Sequence, residues 1–181
     1  YFIINESKVA MYIVKKWSNI IVCSIIHMGI GLPMNIDIYC DECRPDVLSS
    51  SKTKACFLGI GSVWTNQRQE IKELIFALKD KHKIGGEFKW TKVRQTTLPF
   101  YKELVDLFFS SAALKFRAII INKNEIDIQK YHQNDPELGF YKMYYLMLNH
   151  RIFSEHNYRI FIDLKKNRQQ NRVAILQKYL Q

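Results

Sequence analysis

The sequence predicts an α/β domain, a mixed sheet that opens with an antiparallel pair of strands and is flanked by helices. Two observations carry this. Two early stretches have the apolar alternation and β-rich composition of strands. From residue 67 onward, runs with apolar residues three and four apart take turns with short apolar runs. Strands that alternate with amphipathic helices close into one sheet with the helices packed against it.

In "NIDIYCDE" (35–42), Ile36, Ile38 and Cys40 fall on one face and Asp37, Tyr39 and Asp41 on the other, which predicts a strand. "RPDVLSSSK" then turns the chain, and "KTKACFLGIGSVWT" (52–65) returns as its antiparallel partner. Ile71, Leu74, Ile75 and Leu78 share one face of a helix that begins at Gln67 and stops near "KIGG", where glycines end helices. "EFKWTK" (87–92) is a short extended piece, and a second helix carries Tyr101, Leu104, Val105 and Phe108 on one face. "LKFRAIIIN" (114–122) has the continuous apolar centre of a buried strand. An aromatic-rich helix spans about Leu138 to Phe153, with Phe140, Tyr141, Tyr144 and Tyr145 packing against the sheet. "YRIFIDLK" (158–165) is a further strand, and "RQQNRVAILQKYLQ" a basic helix.

With 181 residues, 48% of them hydrophobic, the chain has enough apolar material for one domain with a real core. Its 24% charged residues set it apart from disordered chains. A net charge of +10 and a pI near 9.4 attract polyanions, which favours nucleic acid as a partner over an inert basic surface. Four scattered cysteines make no secreted disulfide framework, and a reducing cytoplasm fits them.

The stretch "NIIVCSIIHMGIGLPM" (19–34) is apolar from Ile20 to Leu32 apart from Ser24 and His27. That is short of the about 20 residues a spanning helix needs, and no small-x-small cleavage site precedes Met34. A membrane partner is therefore not expected. Met34 reads as the natural start, residues 1–33 as an appended extension, and 34–181 as the domain. The sequence stops inside a periodic helix, which predicts a further C-terminal element.

Chemistry has two competing sources in "IDIYCDECRPD" (36–46): the C-x-x-C pair, and the acids inside it. A redox pair needs its thiols at a helix N-terminus. Here Asp41 and Glu42 would raise the thiol pKa, and Arg44-Pro45 starts no such helix. A structural zinc site needs two more ligands, and no second C-x-x-C or H-x-x-x-H exists. Cys40 and Cys43 are thus small strand-end residues. The acids are more informative. Asp41 and Glu42 end the first strand, Glu87 follows the "GG" break, and Asp163 interrupts the apolar "RIFID". A carboxylate in an apolar strand is costly unless paired or bound to metal. For Asp163 the alternative is an ion pair with Arg159 or Lys165, or a place as a strand-end turn acid. Carboxylates converging from separate strands are hard oxygen donors suited to Mg²⁺ or Mn²⁺.

"IYCDEC", "GGEFKWTKV", "FYKELVDLFF", "FRAIII", "FYKMYYLML" and "YRIFIDLK", taken in order from about Asn35 to Leu180, resemble the bacterial domain-of-unknown-function family 3800. The resemblance implies a ribonuclease-H-like fold and a divalent-metal-dependent nuclease that needs no small-molecule cofactor. The family's strand-end "D-E-S" falls on Asp41 and Glu42, with Cys43 in place of Ser. Its "E-x-K-W" falls on Glu87, Lys89 and Trp90, and its "I-D-x-K-D" on Ile162, Asp163 and Lys165, with Lys166 where a second acid is usual. A "Q-x-x-D-L" helix with another acid has no counterpart before Gln181. If that acid completes the site, the chain as given folds yet catalyses poorly.

Asp41, Glu87 and Asp163 are accordingly the expected Mg²⁺ or Mn²⁺ ligands, with Glu42 beside them. Lys89 either contacts the scissile phosphate or neutralises Glu87. Lys165, Lys166 and Arg168 lie where a nucleic-acid backbone would pass, and Trp90 is available to stack on a base. The competing expectation is a module on the same fold that binds nucleic acid or protein in a mobile-element or defence setting and has no chemistry of its own.

Overall fold

The structure, a computed structural model, describes residues 11–13, 20–25, 33–50, 52–163 and 171–180, and of residues 11–13, 20–25 and 131 only the backbone. The chain, read from its sequence as one domain after Met34, divides into two compact units. One is Tyr1–Trp64 with Lys115–Gln181, and the other is Thr65–Leu114.

The first unit is built on a mixed six-stranded sheet of order β1-β2-β5-β4-β3-β6. Its strands are β1 (Met11–Ile13), β2 (Ile20–Ile25), β3 (Asn35–Cys43), β4 (Phe57–Thr65), β5 (Leu114–Asn122) and β6 (Asn157–Phe161). β1 and β2 are antiparallel, as are β2 and β5, whereas β3 and β6 run parallel. Lys123 N donates to Cys56 O at 2.8 Å and Ser62 Oγ to Arg117 O at 3.2 Å. Opposite ends of β4 and β5 therefore meet, and those two strands are antiparallel as well.

The stretch set aside as an extension supplies two of these strands. β2 pairs along β5 from Ile20 opposite Ile121 to Ile25 opposite Phe116. Its Ile20, Ile21, Val22 and Ile25 are β-branched residues that favour a pleated backbone over a helix. No helix among the described residues is long and apolar enough to cross a membrane.

Period-2 alternation settles which face of β3 and β4 is inside. Ile38 and Cys40 of β3, Leu58, Ile60 and Trp64 of β4, and Ile119 and Ile121 of β5 form one apolar layer. Against it pack α4 (Pro136–Asn149), through Phe140, Tyr141, Met143, Tyr144, Met147 and Leu148, and α5 (Arg172–Leu180), through Leu176. Val47 and Leu48, in a 3₁₀ turn at Pro45–Leu48, close one end. α4 starts two residues before the position expected from its apolar spacing. Asp135 caps it, accepting from Glu137 N at 2.9 Å and Leu138 N at 3.2 Å, and Pro136 occupies the first turn. Buried Arg172 of α5 reaches back to Asp135 and Glu137, so the acids at the start of α4 hold the last helix. The short α3 (Ile128–His132) precedes α4.

The second unit contains α1 (Arg68–Lys81) and α2 (Leu98–Ser110). Phe100 is its fully buried side chain, ringed by His82, Phe88 and Tyr101 at centroid distances of 6.1, 5.7 and 5.2 Å. Glu103 of α2 ties to Lys81 at 2.8 Å and to His82 at 3.1 Å, joining the two helices at the surface.

Three sequence expectations change in detail. α1 ends at Lys81, and the residue that takes the left-handed conformation after it is Lys83 (φ 54), ahead of the glycines. Ile84 N closes that turn by donating to Lys79 O at 2.8 Å. "EFKWTK" is not extended throughout: Trp90–Lys92 is a 3₁₀ turn, closed by Lys92 N on Lys89 O and Val93 N on Trp90 O. β6 ends at Phe161, so Asp163 lies two residues past the strand and not within it. Once the ladder stops there, Asp163 is exposed and carries no penalty for burial.

Candidate functional site

The site begins with the register of the one parallel ladder. β3 and β6 pair from Asn35 opposite Asn157 to Tyr39 opposite Phe161. Alternate positions on one face make a column of partners. Asp37 faces Arg159, whose Nε and Nη2 donate to its two carboxylate oxygens at 2.6 and 3.0 Å across a sequence separation of 122. The guanidinium is held protonated more firmly than an ordinary arginine by those bonds to Asp37. One step on, the rings of Tyr39 and Phe161 stack at 4.8 Å and 7°. The ladder ends there; Asp41 lies two residues further along β3 and Asp163 two residues past the end of β6, both exposed.

Because β3 and β6 run parallel, both segments carry their acids toward the same end of the sheet. The arginine expected as an alternative partner for Asp163 is engaged by Asp37. Asp41 Oδ1 accepts from the amide of Glu42 at 2.8 Å, which fixes its carboxylate beside the chain.

Glu42 points to the other face, where α4 lies. The hydroxyl of Tyr144, in the core and fully buried, donates to Glu42 Oε2 at 2.8 Å. Burial first, and then the bond to Glu42, raise the pKa of this phenol far above that of a free tyrosine, so it remains a donor. The two adjacent acids thus differ. Asp41 is presented to solvent, and Glu42 is anchored from within.

The cysteines have no part in this arrangement. Cys40 is buried, and desolvation followed by the charge of Glu42 pushes its thiol up to about 12, which excludes a thiolate at neutral pH. Cys43 lies on the opposite face, where its Sγ would stand 2.8 Å from a Cβ built on Gly59. Being on opposite faces, the pair cannot close a disulfide or share a tetrahedral metal, and Cys40, Cys43 and Cys56 are all free.

Glu87, Lys89 and Trp90 belong to the second unit. Lys89 Nζ sits 2.9 Å from Glu87 Oε2, so this lysine does neutralise the acid. Trp90 is 85% exposed. Lys165, Lys166 and Arg168 lie outside the described residues. Among the described residues no group of three or more His, Cys, Asp or Glu side chains is placed to hold a metal ion. A surface cavity of about 410 Å³ lies beside Leu48, Lys123 and Asp127 and includes none of the expected site residues.

Sequence reading missed the two groups that position the acids. Arg159 was visible only as a residue near Asp163, and Tyr144 only as one aromatic among several. Their partners are 122 and 102 residues away, beyond the reach of any local pattern. Compared with protein-family models, curated proteins and solved structures, the chain matches none.

Proposed function

We propose that the chain is a ribonuclease-H-like, divalent-metal-dependent phosphodiesterase that acts on nucleic acid. The observation that supports the reading is the parallel pairing of β3 with β6, which leaves exposed Asp41 near the end of β3 and exposed Asp163 two residues past β6 toward the same end of the sheet. Mg²⁺ typically binds through one or two carboxylates, with waters and substrate phosphate oxygens completing its octahedron. An exposed pair of aspartates fits that donor set, and their hard oxygens suit Mn²⁺ equally. When bound, the ion supplies positive charge where the phosphodiester gains negative charge.

The residues themselves hold and orient. Asp41 and Asp163 present the oxygen ligands. Glu42, turned to the other face and fixed there by Tyr144, holds the end of β3 on which Asp41 lies. The Asp37–Arg159 pair and the Tyr39–Phe161 stack hold β6 on β3 up to the end of the ladder. The charge of +10 supports a polyanionic substrate.

Labelled RNA, DNA and hybrid substrates, incubated with Mg²⁺, Mn²⁺ or a chelator, test the proposal. Asp41→Asn and Asp163→Asn should each lower metal-dependent cleavage by about 100-fold or more, the loss expected when a charge-stabilising group is removed, while Cys40→Ser with Cys43→Ser leaves it largely intact. Cleavage that survives either aspartate change would refute the site. Salt-dependent binding with no cleavage would identify a binding module on the same fold.

A further inference from the structure

We infer that the loop after α1 is a base-stacking platform that selects single-stranded nucleic acid, with Trp90 as the ring on which a base lies. The inference rests on the proposed nucleic-acid substrate and names its strand class. It stands on the second unit alone.

An indole has a large apolar surface that folding ordinarily encloses, yet Trp90 is 85% exposed. The loop that carries it is not loose. The Tyr101 hydroxyl accepts from Lys89 N at 3.2 Å and donates to Lys89 O at 2.8 Å. Lys92 Nζ donates to Glu87 O at 2.8 Å, and Arg94 Nη1 to Thr91 O and Val93 O at 3.0 and 2.9 Å. Thr97 Oγ1 accepts from Arg94 N at 2.9 Å and donates to Lys92 O at 3.1 Å. Two residues before Trp90 in the chain, Phe88 is anchored on buried Phe100. A turn braced at this many points fixes the backbone that carries the tryptophan, so little main-chain freedom is lost when a base stacks on its ring.

Charge decides what the ring would meet. Between residues 83 and 94 stand four exposed cations, Lys83, Lys89, Lys92 and Arg94, against the single acid Glu87. An apolar protein surface has no use for that collar, whereas a phosphate backbone that threads past an aromatic face needs both elements. Bases in a duplex are already stacked on one another, so an isolated ring on a surface turn reaches a base face only in an unpaired strand.

The full chain has three tryptophans, of which Trp64 is buried. Titrating it with an oligothymidylate of about 16 nucleotides and with a duplex of equal length, following tryptophan fluorescence, tests the proposal. The single strand should quench the emission, and Trp90→Ala should weaken single-strand binding about tenfold. Duplex affinity and the slope of affinity against salt should stay unchanged, because phosphate contacts remain. Trp90→Phe should retain most of the affinity. Equal single-strand affinity in Trp90→Ala would overturn the stacking role and leave the nucleic-acid reading standing. Failure of the unaltered chain to bind either form would overturn the nucleic-acid reading itself. A dimer that Trp90→Ala dissolves in sedimentation would show the ring to be covered by a second copy, and would also overturn the proposal.

Discussion

Tyr144 donates its buried hydroxyl to Glu42 across 102 residues of sequence at 2.8 Å, so an acid at the end of β3 is held by the interior of α4. Tyr144→Phe removes the donor and keeps the ring. Bonds to charged groups are worth about 1.5–3 kcal/mol, and Glu42 is half-exposed and can regain water, so a loss near the lower end, about 1.5 kcal/mol, is expected in urea unfolding. Glu42→Gln should then cost less in the Tyr144→Phe background than alone. A variant within about 0.3 kcal/mol of the parent would mean that the bond does not anchor Glu42.

Cys40 gives the fold an alkaline limit. Its thiol titrates near 9.0 in an unexceptional setting and at about 12 in the folded chain, because burial and Glu42 oppose the thiolate. The raised folded pKa means that its full contribution is present below pH 9 and is lost as pH climbs toward 12. The loss from this group between pH 8 and pH 9.5 is about 0.8 kcal/mol, a window that ends before tyrosines ionise near 10. Urea midpoints at those two pH values should fall together in the parent and scarcely move in Cys40→Ala. An equal fall in both would assign the pH dependence to another group.

The Asp37–Arg159 pair should outweigh the Arg44–Asp46 pair in stability although both have good geometry. Asp37 keeps only 3% of its side chain exposed, whereas Arg44 and Asp46 retain 52% and 45%. Removing Arg159 strands a desolvated carboxylate, and removing Arg44 leaves Asp46 in water. Thermal unfolding of Arg159→Ala should therefore show a clear drop, with Arg44→Ala close to the parent. Arg159→Lys should recover only part of the loss, since one ammonium cannot make both bonds. Equal behaviour of the two alanine variants would contradict this ranking.

Local patterns were enough for the elements whose neighbours they describe. β3 and β5 follow directly from alternation in "NIDIYCDE" and from the apolar centre of "LKFRAIIIN", and α1 from Ile71, Leu74, Ile75 and Leu78. What escaped was long-range. The pairing of β3 with β6 joins residues 122 apart and has no signature in either strand, yet it is what brings Arg159 onto Asp37 and Phe161 onto Tyr39. Residues 20–25 looked like a dispensable apolar run because their partner, β5, begins some ninety residues later. The turn at Trp90 escaped because Phe88, Lys89 and Trp90 have strand-like composition, and only the hydroxyls of Tyr101 and Thr97 bend them into a 3₁₀ turn.

The edge position of β6 also has a consequence during synthesis. β3 is complete once Cys43 has been made, but its parallel partner exists only after Phe161, and the 122 residues between paired positions take about 6–24 s to translate at 5–20 residues per second. For that interval one edge of β3 has no strand beside it from this chain, and open edges recruit foreign strands. Asp37 and Asp41, carried by β3 from the outset, put two negative charges on the strand whose edge is open and discourage such pairing until Arg159 arrives to neutralise one of them.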